Sequence, residues 1–278
     1  CGGPCAYHAE PLSDFVDFFI LGEGEEVNSE IMDVYKEWKN SGSTDRDDFL
    51  MSIIPLGGVY VPKFYDVEYN DDNTISRFEP NREGVPKQVR KRIILNMDNT
   101  YVPKKLIVPF METVHDRIML ELFRGCIRGC RFCQAGYIYR PVRERSVDKL
   151  VETAGECIKN TGYEEMSMSS LSTSDYTDLD ELTNKLLDIT VDKRINLSLP
   201  SLRVDNFSME LMKKVQKVKK SGLTFAPEAG TQRLRDVINK NVLESDLIRT
   251  SNIAFRGGYN RIKLYFMLGL PTETYEDV

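Results

Sequence analysis

Three cysteines fall inside eight residues, Cys126, Cys130 and Cys133, in the stretch LELFRGCIRGCRFCQAGYIYRPVRER at residues 120–145. The segments between them are too short for these thiols to pair as unstrained disulfides. A shared metal centre accounts for the density, because thiolates from one tight loop can each ligate a neighbouring iron of a cluster. Gly125 and Gly129 suit a loop that must fold closely around a bulky ion. The same spacing would also place the thiols on one helical face, but two glycines in that turn argue against a helix. A zinc site completed by His115, of the Cys3His kind, is the competing metal reading.

The number of thiols matters as much as their spacing. The next cysteine, Cys157, lies in an apolar helical stripe with Val147, Leu150, Val151, Ala154 and Ile158, so it reads as core. Three protein ligands would leave one iron of a four-iron cluster with an open position, where chemistry can occur. Cys1 and Cys5 form another CxxxC pair and read as structural or incidental.

The elements around this loop alternate. Residues 117–123 read as a strand that delivers the cysteine loop, and Ser146 caps a helix ended by Gly162. Residues 164–170 (EEMSMSS), 195–202 (INLSLPSL), 222–228 (GLTFAPE) and 261–274 (RIKLYFMLGLPTET) supply four more strands. A helix between the second and third carries Leu179, Leu182, Leu186 and Ile189 on one face. A lysine-rich helix, with five lysines between Lys213 and Lys220, follows the third and reads as a solvated face. Strand–helix alternation of this kind builds parallel α/β proteins, whose strand tips carry the active face. Ahead of it, residues 41–112 read as a linker containing a β-hairpin (VYVPKFYDVEYNDDNTISRFEP) with an NDDN turn. Residues 1–40 read as the end of an α/β unit, and the opening CGGPC suggests a fragment.

Composition sets limits. At 278 residues and 41 % hydrophobic the chain can bury a large core, and a net charge of −6 makes no general case for nucleic-acid binding. No apolar run approaches a membrane span and no signal peptide is visible. Six cysteines clustered in this way suit a reducing compartment, which places the protein in the cytoplasm.

The CxxxCxxC spacing, with Phe132 just before the third cysteine in a loop that follows a strand, resembles the radical S-adenosylmethionine (SAM) family. The resemblance implies an α/β fold, a partial TIM barrel in which five of about six strand–helix units are present across residues 113–278. It implies a 4Fe-4S cluster on Cys126, Cys130 and Cys133 whose open iron is chelated by SAM. Glu228-Ala229-Gly230-Thr231-Gln232-Arg233 resembles the family's ESG-S/T-QR segment, which makes Glu228 a SAM-binding candidate; Ala229 stands where the family usually has serine. The family's GGE motif is replaced by Ser169-Ser170-Leu171-Ser172 and Ser174-Asp175-Tyr176, so Ser170, Ser172 and Asp175 become candidates for the SAM amino group. Arg203 and Asp205 resemble an RxD segment, Met267, Leu268 and Gly269 occupy the adenine-facing position, and Glu273 reads as a helix cap. The six arginines between Arg124 and Arg145 would balance cluster charge or hold carboxylates, with Arg143 and Arg145 also readable as solvated.

Gly2-Gly3-Pro4 and Gly22-Glu23-Gly24-Glu25 resemble the tail of the Rossmann-like cobalamin-binding domain that precedes the radical SAM domain in many relatives. The DxHxxG motif of that domain is not in this chain, and His8 does not sit in one. Cobalamin is therefore a possible further cofactor. The implied activity is reductive cleavage of SAM to methionine and a 5′-deoxyadenosyl radical that modifies a substrate. The electron comes from an external donor of the flavodoxin or ferredoxin type. The substrate, whether small molecule, RNA or protein, is not legible, and no residue is assigned to its turnover. The alternatives are an iron–sulfur electron-transfer or redox-sensing protein and a zinc-stabilised RNA-binding module.

Overall fold

The computed structural model describes residues 1–111, 113–200, 202–204, 209–215 and 222–278. Two compact units form, Cys1–Leu95 and Asn96–Val278.

In the first unit the amphipathic helix α1 (Val27–Asn40) and the helix α2 (Arg46–Ile53) pack beside two short antiparallel strands, β1 (Phe19–Ile20) and β2 (Val59–Tyr60). The Asp45 side chain caps α2 by accepting from the Asp47 N–H. Phe19, Ile53, Val61 and Phe64 are fully buried between these elements. The hairpin read from the sequence is β3 (Tyr65–Tyr69) paired with β4 (Ile75–Pro80), and Asn70–Thr74 closes its turn. Aromatic contacts among Tyr60, Tyr65 and Phe78 bind it to the unit, with ring centroids 4.9–6.2 Å apart. The GEGE segment is occupied structurally. Gly22 bridges Arg92, and Glu23 accepts from the Ile94 N–H.

In the second unit three parallel strands form a sheet in the order β5 (Ile118–Glu121), β8 (Glu165–Ser169), β9 (Asn196–Ser198). A two-residue ladder, β6 (Phe123–Arg124) with β7 (Arg143–Glu144), brackets the cysteine loop. That loop contains the single-turn helix α3 (Ala135–Ile138). A second parallel pair joins β10 (Leu223–Glu228) to β11 (Ile262–Phe266). The five parallel strands are those read from the sequence. The helices α4 (Val147–Thr161), α5 (Leu179–Thr190), α6 (Met209–Val215), α7 (Gln232–Val237) and α8 (Glu244–Arg256) fall between them. Asp205 and Lys217, Lys219 and Lys220 of the lysine-rich stretch lie outside the described residues.

The apolar stripe of α4 docks on the sheet. Leu150, Ala154 and Cys157 join Leu120, Met166 and Leu182 in the main core, which puts Cys157 among the buried residues as its periodicity requires. Ser146 accepts from the Lys149 N–H at the start of α4, and Gly162 ends the helix in the left-handed conformation.

Two positions frame the loop through different physics. Gly125 has φ +97°, and a Cβ there would lie 2.7 Å from the Pro141 carbonyl oxygen and 2.8 Å from that of Tyr139. Gly125→Ala should therefore destabilise the unit by about 1–3 kcal/mol through a backbone that alanine cannot adopt without strain. Ser146→Ala should cost about 1 kcal/mol by leaving a helix N-terminal N–H unpaired. Both losses are readable as lower urea midpoints, and an unchanged midpoint for Gly125→Ala would show that the loop relaxes freely.

Candidate functional site

The cysteine loop is held by hydrogen bonds that its carbonyls accept and one that its backbone N–H donates. The Arg140 guanidinium donates to the carbonyls of Cys126 (3.1 Å), Ile127 (3.3 Å) and Arg128 (2.8 Å). The turn after α7 also grips the loop. The Arg131 N–H donates to the Ile238 carbonyl (2.9 Å), and Asn239 Nδ2 donates to the Gly129 carbonyl (2.7 Å). Gly129 permits that approach, since a Cβ would sit 2.9 Å from Asn239 Nδ2. The Arg128 N–H points to Cys126 Sγ at 3.4 Å, a backbone donor aimed at a sulfur that would carry charge.

Held in this way, Cys126, Cys130 and Cys133 line one cavity of about 280 Å3 at the strand tips of the second unit. No three Cys, His, Asp or Glu side chains among the described residues are placed to hold a single metal ion. A cluster asks for a different arrangement, because each thiolate takes its own iron and the sulfurs stand around a body rather than converging on a point. The donor set and the shared cavity fit such a group. His115, the fourth ligand of the zinc alternative, is exposed and is not among the lining residues. Burial pushes the Cys130 thiol up from its usual range, while the positive charges of Lys240 and Arg203 pull it down. Coordination by a metal requires loss of that proton.

Of the residues singled out in the sequence, Phe132, Ser172, Arg203 and Glu228 line the same cavity as the cysteines. Glu228 reaches it through an unusual backbone. It ends β10 with φ +70°, at an irregularity in the β10–β11 register between Phe225 and Glu228. A non-glycine residue in this region is strained, and such strain concentrates at functional sites. Thr231, not Glu228, caps α7, accepting from the Leu234 N–H.

Ser170, Asp175 and Gly269 are placed otherwise. The Ser170 hydroxyl bonds Thr173 Oγ1 at 3.0 Å. Asp175 is engaged by both Nε and Nη2 of Arg128, at 3.1 and 2.6 Å, and its side chain is 9 % exposed. Burial alone would raise the Asp175 carboxyl; the Arg128 pair and the charge of Arg203 oppose it, and the group lies below the usual carboxylate range. Gly269 sits in a turn closed by Glu273, whose carboxylate accepts from the N–H groups of Gly269 and Leu270. Glu273 thus caps that turn rather than a helix. None of the three is among the cavity-lining residues. Arg143 and Arg145 are buried rather than solvated. Arg145 donates to the Met97 carbonyl and the Glu121 carboxylate, and Arg143 to the carbonyls of Pro141 and Tyr139.

Of the six arginines expected to balance charge or hold carboxylates, Arg128 lines the cavity and pairs with Asp175, while Arg140 binds the loop carbonyls. Sequence reasoning did not find Lys240 or Asn239 as contributors. Lys240 Nζ pairs with Glu228 Oε1 at 3.1 Å and stands 6.0 Å from the centre of the Phe132 ring. The signal available for it was the run Asn239-Lys240-Asn241, two asparagines that both adopt positive φ.

The comparisons with known proteins agree with this geometry. Residues 120–278 match the model of the Radical SAM superfamily, and residues 1–62 match that of Radical SAM proteins, N-terminal. An uncharacterized protein of Methanocaldococcus jannaschii is 32 % identical over all 278 residues, which cover 53 % of it. The chain spans about half the length of the curated relatives it matches. Among solved structures, the radical SAM methyltransferase TsrM from Kitasatospora setae, with cobalamin and a 4Fe-4S cluster bound, aligns with TM-score 0.61 at 13 % identity, covering 99 % of this chain and 52 % of TsrM. The cobalamin-dependent SAM radical enzyme OxsB aligns with TM-score 0.59 at 12 % identity, covering 96 % of this chain and 36 % of OxsB. With its family model spanning the whole cysteine cavity and the strands beneath it, the chain belongs to the radical SAM superfamily.

Proposed function

We propose that this chain is the core of a radical SAM enzyme, with Cys126, Cys130 and Cys133 as ligands of a 4Fe-4S cluster and Glu228 as a contact to SAM. The observation that carries the reading is that three thiols from one loop and a strained strand-tip carboxylate line a single cavity. The bound cluster and SAM would supply one-electron cleavage of the sulfonium to methionine and a 5′-deoxyadenosyl radical. The chain's own residues do the rest. The loop carbonyls pinned by Arg140 and Asn239 keep the thiolates in place before loading, so little ordering remains to be done when the metal binds. The Glu228 carboxylate can accept hydrogen bonds from ribose hydroxyls or an ammonium group. Phe132, Leu171 and Val242 form apolar wall that keeps water from the reacting carbon. Arg203 offers a cation for a carboxylate on the same wall.

Cobalamin is the second cofactor in this proposal. TsrM and OxsB bind it, and both align across nearly the whole chain, the first unit included. With cobalamin the outcome is methyl transfer to an unactivated carbon; without it, the outcome is rearrangement, oxidation or sulfur insertion. The electron donor is external, and the substrate is a small molecule, an RNA or a protein.

Anaerobically prepared protein should contain iron and acid-labile sulfide in equal amounts; one zinc and no sulfide would end the proposal. With SAM and dithionite it should release 5′-deoxyadenosine, and Cys130→Ala should release none. Equal release from both proteins would refute the assignment of the thiols.

A further inference from the structure

Lys240 lines the cavity and contacts the strand-tip carboxylate of Glu228 there. Its side chain is only 12 % exposed and that of Glu228 17 %, so their 3.1 Å contact is a largely desolvated ion pair. Its ammonium also faces the ring of Phe132, the residue between Arg131 and Cys133, at 6.0 Å from the centroid. Cys130 lies within its field. Asn239, the preceding residue, is bonded to the Gly129 carbonyl. One short turn therefore supports the cysteine loop through Asn239 and aims the strand-tip carboxylate through Lys240.

We propose that Lys240 is a positioning and charge-balancing residue: it holds Glu228 over the cysteine cavity in a SAM-binding orientation and favours the reduced state of the metal centre. The inference rests on the proposed function, since it needs a cluster on the three cysteines. The physics is simple. A thiolate-bound cluster is negatively charged and gains further negative charge on reduction, so a fixed cation in a poorly solvated wall stabilises the reduced form more than the oxidised one. The same cation neutralises Glu228, whose carboxylate would otherwise oppose reduction and swing toward water. Because Lys240 bonds Oε1, the carboxylate retains acceptor capacity for a ligand.

The test uses reconstituted full-length protein and two readouts besides turnover: the midpoint potential of the centre by EPR-monitored titration, and SAM affinity by calorimetry. The wild type must first show a reducible iron–sulfur signal; without one, the proposed function itself fails. Given that signal, Lys240→Met should move the potential to more negative values and weaken SAM binding about tenfold, because Glu228 loses the partner that positions it. Glu228→Gln should move the potential in the opposite direction while also weakening SAM. Lys240→Arg should keep the potential near that of the wild type. Opposite signs for the two partners cannot come from a general loosening of the fold. A wild-type potential and wild-type SAM affinity in Lys240→Met would overturn the proposal. Should Lys240→Met fail to hold iron, the double variant E228Q/K240M, which leaves no unpaired charge, decides. Loading restored in it, or in Lys240→Arg, supports the charge role. Failure of all three overturns it in favour of packing alone.

Discussion

The second unit depends on one constraint, the capture of backbone carbonyls in the cysteine loop. Loop carbonyls have no regular secondary-structure partner, so fixed side-chain donors that take them set the shape of the loop. Here the Arg140 guanidinium takes three of them, and Asn239 takes a fourth. A fork of fixed donors suits this task better than an ammonium, because several bonds form from one ordered side chain. The thiols are thereby held by bonds that do not involve sulfur. The metal ligands remain available for ligation while the loop keeps its shape, and the left-handed turn at Gly125 lets that loop leave β6 so sharply.

A second constraint meets the first across the cavity. Glu228 occupies a backbone conformation that its side chain disfavours, and surrounding structure has to maintain it. The Glu228 carbonyl accepts from the Met267 N–H at 2.8 Å, and Lys240 holds the carboxylate. Further along, Asp277 accepts from Thr231, Arg233 and Thr274, and these bonds hold its carboxyl well below the usual range. Asp277 therefore ties the final segment to the start of α7. The strand tip is set by contacts that arrive from β11, the turn after α7 and the last residues, none of them adjacent to Glu228 in the chain.

The first unit presents a different lesson about motif-like sequence. Its GEGE segment looks like a cofactor-associated turn, yet in this structure Gly22 and Glu23 bond the Arg92–Ile94 stretch. Arg92 in turn pairs with Glu26, at the start of α1, and with Glu30 within it. Acidic residues that follow a strand can thus organise a helix and a neighbouring segment. A role for them toward cobalamin would have to operate alongside that packing.

What the sequence determined by itself was whatever depends on near neighbours. The CxxxCxxC spacing, the Ser146 cap, the Gly162 stop and the apolar stripe through Cys157 are all set within a few residues, where chain geometry leaves few alternatives. The five parallel strands were legible for the same reason. Tertiary structure alone decided which strand-tip residues share the cavity. Ser172, Arg203 and Glu228 reach it, whereas Asp175 is taken by Arg128 and Ser170 by Thr173. It also turned Arg143 and Arg145 inward and brought Lys240 to Glu228. A charged side chain at a strand tip has several possible partners, and the choice among them depends on which distant segments fold beside it, information that residue spacing does not carry.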